Sequence, residues 1–182
     1  SLPSGSMQDF DNGELHPLQE YAFRMIGGSD NTATDHLMHL LGRESIEAML
    51  PVMGVVDSSR SIPFLSTREM FQLKWGVNAI ETQTYLDSDL MRRREILSGF
   101  ASRPLSQIGQ NGASMDAPTR IRELEWFASP RENCKAMIWL AKVGSSEVRE
   151  MLEYRVPFVD RGRPQSHWTY AGYKGGSEPG VL

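Results

Sequence analysis

Three apolar stripes at helical spacing, each closed by glycine, leave the first part of this chain little choice but to fold as a stack of short helices. Leu18, Tyr21, Ala22, Met25 and Ile26 recur at i, i+3, i+4, i+7 and i+8, one face of a helix that Gly27-Gly28 should stop. Pro17 stands where a first helical turn tolerates proline. A second stripe, Ala33, Leu37, Leu40 and Leu41, follows after three residues, with Ser29, Asp30 or Asn31 available as its cap and Gly42 as its end. Ile46, Met49, Leu50 and Met53 make a third, closed by Gly54. Connections this short force neighbouring helices to pack against one another.

Further along, Ser66-Thr67-Arg68-Glu69 has the spacing of a capping box, opening a helix with Met70, Phe71, Leu73, Trp75 and Val77. Apolar residues around most of its circumference place that helix in the middle of the fold. Asp89 to Phe100 reads as a charged surface helix that includes Arg92-Arg93-Arg94. Residues 103–118 are rich in Gly, Ser, Asn and Gln and read as a loop or lid. Helices are expected over Thr119 to Ala128, over Pro130 to Val143 with Ser129 as cap, and over Ser146 to Tyr154. From His167 the period changes to two: Trp168, Tyr170 and Gly172 alternate with Thr169, Ala171 and Tyr173, the mark of a strand. The expectation is one mainly α domain over 1–182, with a helical part about 15–160 and a single strand about 166–175. A lone strand exposes unpaired backbone groups, so its sheet is expected in the rest of a larger parent chain or in a partner.

Composition narrows the functions. With 182 residues, 40% hydrophobic and 23% charged, the chain can bury a core and is neither disordered nor membrane-spanning. No apolar run approaches the roughly 20 residues a bilayer span requires. A net charge of −4 offers no basic field for nucleic acid. Cys134 is the one cysteine, at helical spacing with Met137, Ile138 and Ala141, and reads as core rather than as a nucleophile; Trp126 and Trp139 also read as core. His36 and His39 lie i, i+3 with no third ligand apparent, so no metal and no cofactor are expected. The first six residues have neither the charged nor the apolar region of a signal peptide, and both ends read as cuts within a longer protein.

Two motifs carry chemistry. Ser29-Asp30-Asn31 occupies the turn between the first two helices, and Lys174-Gly175-Gly176-Ser177 ends the aromatic strand. In that order, and with Met25-Ile26, Thr32-Ala33-Thr34-Asp35, Leu40-Leu41-Gly42 and Phe64-Leu65-Ser66-Thr67-Arg68-Glu69-Met70 around them, the chain resembles class A β-lactamases and penicillin-binding serine hydrolases. The resemblance implies the helical lobe of an α+β β-lactamase/DD-peptidase-like fold, and a parent exported to the periplasm or secreted. It implies a small-molecule substrate, a β-lactam, ester or peptide-like amide, attacked through an acyl-enzyme. Ser29 would relay a proton to the leaving group. Asn31 would bind the substrate's amide, Lys174 would polarise Ser29 and attract a carboxylate, and the Ser177 N–H would form half of an oxyanion hole. Gly175 and Gly176 would leave room for a substrate beside the strand.

The departures from that family matter equally. No Ser-x-x-Lys and no Glu-x-x-Leu-Asn occurs in the 182 residues, so the usual nucleophile and water-activating glutamate are absent from this chain, which should be inactive alone. Gly54 to Ser66 is too short for the family's glutamate loop, and Gly175 replaces the usual Thr or Ser. These changes favour esterase- or peptidase-like acyl transfer over efficient β-lactam hydrolysis. The alternative is a non-catalytic relative that binds a ligand or partner without turnover.

Overall fold

The computed structural model describes residues 2–154 and 170–181. Eight α-helices occur among them: α1 Leu18–Gly28, α2 Asn31–Leu41, α3 Arg43–Val52, α4 Thr67–Phe71, α5 Ala79–Asp87, α6 Leu90–Phe100, α7 Pro130–Val143 and α8 Ser146–Glu153. The chain is mainly helical, as its stripes dictate. A π-helical turn, Gln72–Gly76, continues α4.

Most helix starts are set by local capping. Asp30 caps α2 by accepting from the Ala33 N–H at 3.0 Å, and Ser66–Glu69 and Ser129–Glu132 form complete capping boxes at α4 and α7. The Glu132 carboxylate also accepts from the Val56 N–H at 2.7 Å, tying α7 to the loop after α3. The Ser129 contacts, joined by these backbone donors, pull Glu132 down to about 2. Capping reaches between helices too. Asp35 on α2 accepts from Thr67 N and Arg68 N at 2.7 and 2.9 Å, fixing the start of α4 against α2. Arg43 on α3 pairs with Glu69 at 2.6 Å. The core lies beneath this lattice, built from Leu65, Met70, Leu73, Val77, Tyr85, Leu97, Phe100 and Leu124.

Four features differ from the sequence reading or add to it. Residues 119–128 form turns rather than a helix. Arg120 takes a left-handed φ of 50°, and the polar groups that follow find distant partners, Phe127 N–H at Ser61 Oγ and the Trp126 indole N–H at the Leu65 carbonyl. Tertiary bonds there replace the i to i−4 ladder. Second, α5 is a helix although its stripe is faint, with only Thr82 and Tyr85 buried; the Asn78 side chain starts it by accepting from Ile80 N and Glu81 N. Third, Cys134 is exposed because α7 buries no residue fully and lies on the outside of the core, and Trp126, in the turns before α7, is 40% exposed. Fourth, the described part of the expected strand, Tyr170 to Gly175, belongs to no strand. The Tyr173 N–H donates to the Leu152 carbonyl at 2.8 Å, and the only bridge among the described residues is an isolated one between Glu178 and Val181. His167, Trp168 and Thr169 lie outside the described residues. Within the loop 103–118, Leu105–Gln107 forms a short 3-10 turn. No described helix is long and apolar enough to cross a membrane.

Candidate functional site

The turn between α1 and α2 is built around one strained residue and one buried one. α1 does not stop at its glycines; Gly27 and Gly28 complete its last turn and Ser29 makes the left-handed cap, φ 51° and ψ 40°. The N–H groups of Ser29 and Asp30 both return to the Arg24 carbonyl, closing the helix end. Glycine or asparagine is the usual occupant of such a cap, because a Cβ there costs about 1–2 kcal/mol. A serine kept in that position, with its side chain exposed, is the kind of local strain that accumulates at functional sites.

Asp30 is 2% exposed. Besides capping α2 it accepts from the Ser6 and Met7 N–H groups at 2.8 and 2.9 Å, drawing residues 2–9 across the turn like a strap. Gly5, at φ 87°, passes so close that a Cβ would sit 2.1 Å from the Asp30 carboxyl carbon. The middle residue of Ser-Asp-Asn is therefore the turn's structural pin. Asn31 holds the strap as well: its side-chain amide donates to the Pro3 carbonyl, and its own carbonyl accepts from Thr67 Oγ1 on α4.

Lys174 reaches this turn from the far end of the chain. Its Nζ donates to Ser29 Oγ at 2.5 Å across 145 positions, and also to the Gly175 carbonyl. The residue is exposed as a whole, yet its ammonium is partly shielded from water, and that desolvation lowers its pKa from the usual lysine value. A proton on a destabilised ammonium, one hydrogen bond from a serine hydroxyl, can be passed through that hydroxyl to a third atom.

The other expected residues are less engaged. A Cβ on Gly175 would meet the Tyr173 hydroxyl at 2.3 Å, so glycine is needed there to make room for an aromatic side chain of its own chain; at Gly176 a Cβ would meet nothing within 4 Å. Ser177 is exposed. His36, exposed on α2, stacks on Tyr21 at 5.4 Å, and no cluster of three or more metal-ligating side chains occurs among the described residues.

Sequence reading missed a charged cluster close by. Lys74, on the π-helical turn, is completely buried and pairs with Glu125 and, at 2.6 Å, with Glu178. Burial, only partly offset by Lys74, pushes Glu125 up to about 7. The sole sequence signal was a lysine amid an otherwise apolar helix run, which periodicity alone reads as a surface position.

No curated protein matches the chain. A family model described as the β-lactamase enzyme family matches residues 2–91. That stretch runs from the strap through α1, the Ser29-Asp30-Asn31 turn and α2 to the start of α6, while Lys174 lies beyond it. The match over residues 2–91 supports reading the chain as a fragment similar to the β-lactamase enzyme family, of the serine-hydrolase kind.

Proposed function

We propose that Ser29 and Lys174 form the proton-relay half of an acyl-transfer site, acting on a β-lactam, ester or peptide-like amide through an acyl-enzyme. The observation that carries this reading is the Lys174 Nζ to Ser29 Oγ hydrogen bond, which joins the two motifs of the chain at 2.5 Å. With its oxygen accepting from Lys174, the Ser29 hydroxyl is free to donate its own proton to a leaving nitrogen or oxygen. Lys174 then refills it, a transfer eased by the ammonium's desolvation. The Lys174 charge also attracts a substrate carboxylate. Asn31 already donates to a backbone carbonyl, that of Pro3, and a substrate amide carbonyl is the same kind of acceptor. The Ser177 N–H serves as one oxyanion donor.

The nucleophile in this reading is a Ser-x-x-Lys element outside these 182 residues, in a longer parent chain or a partner that also supplies the sheet for the Lys174 segment. A group of catalytic residues that acts as a unit loses nearly all covalent catalysis with its nucleophile, so the 182-residue chain alone takes up no acyl group. A parent carrying Ser-x-x-Lys gains the mass of a penicillin or of the acyl part of an activated ester. Lys174→Ala slows that acylation at least a hundredfold, the range expected for a positioned proton donor. Intact-mass spectrometry reads both outcomes. Acylation unaltered by Lys174→Ala would remove the site from this turn. A parent without Ser-x-x-Lys that takes up no acyl group would instead favour the non-catalytic, ligand-binding alternative.

A further inference from the structure

Among the described residues, little holds the backbone of the Lys174-Gly175-Gly176-Ser177 segment. Among the described residues it belongs to no strand, and its backbone is tied by the Tyr173 N–H to the Leu152 carbonyl. Four residues after Lys174, however, Glu178 enters the protein and meets Lys74 at 2.6 Å. The turn that follows is closed by the Glu178–Val181 bridge and packs Gly180 against Pro118 and Ile121, where a Cβ would come within 3.0–3.1 Å.

We infer that Lys74 is a positioning residue for Lys174. From the π-helical turn after α4 its buried ammonium holds Glu178, and through it the Lys174–Ser177 segment, against the Ser29 turn. The inference rests on the reading of Ser29 and Lys174 as one site, and it adds the part that keeps them together.

The geometry supports an anchor with a second duty. A fully buried ammonium needs a carboxylate partner, because an unpaired one costs several kcal/mol in solvation. Glu125 already meets that need, from the turns beside α4. A second carboxylate is superfluous for solvating Lys74, and it comes from a segment 104 positions away. Four residues span at most about 14 Å, so ammonium contacts at both ends, Lys174 on Ser29 and Lys74 on Glu178, bracket the motif within a short stretch. The π-turn matters because it is continuous with α4, whose first turn is fixed by Asp35 of α2, the helix that begins at Asn31. Lys74 and the Ser29 turn are thereby carried on one rigid frame.

Amide hydrogen exchange on the 182-residue chain tests this. Glu178→Gln keeps the side chain's size and leaves Lys74 paired with Glu125. Exchange at the Tyr173 amide, which donates to the Leu152 carbonyl, is expected to rise at least tenfold, with the Ala33 amide in α2 unchanged. Glu178→Asp should restore much of the protection, and Glu125→Gln should leave Tyr173 protected. Exchange within twofold of the parent protein, an equal rise at Ala33, or loss of folding in Glu178→Gln would each overturn the inference, because the pair would then serve the fold at large. The outcome is separate from the catalytic reading: acylation indifferent to Lys174→Ala sinks that reading and leaves these exchange rates as they are.

Discussion

Replacing Asp30 by Ala removes the acceptor for three backbone donors at once, and the structure gives the size of the effect. Loss of the α2 cap, the 3.0 Å bond from Ala33, costs about 1 kcal/mol. The Met7 N–H bond at 2.9 Å is buried, and a buried donor left without a partner costs about 1–3 kcal/mol. The Ser6 N–H, part-buried, recovers some of its loss from water. The sum is about 3 kcal/mol, a large share of the 5–15 kcal/mol typical of a domain. Asp30→Ser separates the parts: it keeps the cap but cannot reach the strap, so it should lose about 2 kcal/mol. Asp30→Asn should fall between, since its amide NH2 would face two backbone donors. Urea unfolding followed by circular dichroism measures all three, as midpoint shifts at constant slope. If Asp30→Ala costs under 1 kcal/mol, or if Asp30→Ser matches Asp30→Ala, the strap is not held by this carboxylate and the argument fails.

Two further expectations concern strain and charge. Ser29→Gly relieves the left-handed cap and should raise stability by about 1 kcal/mol in the same assay while deleting the hydroxyl that Lys174 contacts; a loss of stability would mean that contact outweighs the strain. Glu125, raised from 4.5 to about 7 where it shares Lys74 with Glu178, retains in the folded state a proton that the unfolded chain releases. The folded state binds more protons between those values, so stability should be higher at pH 4.5 and decline toward pH 7, by at most about 3 kcal/mol. Asp35, also raised by burial, adds a decline of the same sign. The Glu125 part is therefore the difference between the parent profile and a flatter Glu125→Gln profile, and identical profiles would contradict it.

What the sequence by itself determined was everything local. Apolar stripes, caps and capping boxes act within four residues, so α1, α2, α3, α4, α6, α7 and α8 could be read from spacing alone, and the Ser29-Asp30-Asn31 turn could be placed between two of them. The structure decided what distance along the chain hides. Period two in Tyr170 to Tyr173 promised a strand, but a strand exists only beside another strand, and among the described residues the Tyr173 N–H meets the Leu152 carbonyl of helix α8 instead. The turns over 119–128 follow from Ser61 and Leu65, more than sixty positions upstream, which take the polar groups of Phe127 and Trp126. Lys74 shows in sequence only as a lysine in an apolar run, because the two carboxylates that make its burial tolerable stand 51 and 104 positions away. Lys174 and Ser29 could be named as a pair from motif resemblance. That they touch is a property of the packed chain, since a hydrogen bond across 145 positions depends on every helix between them.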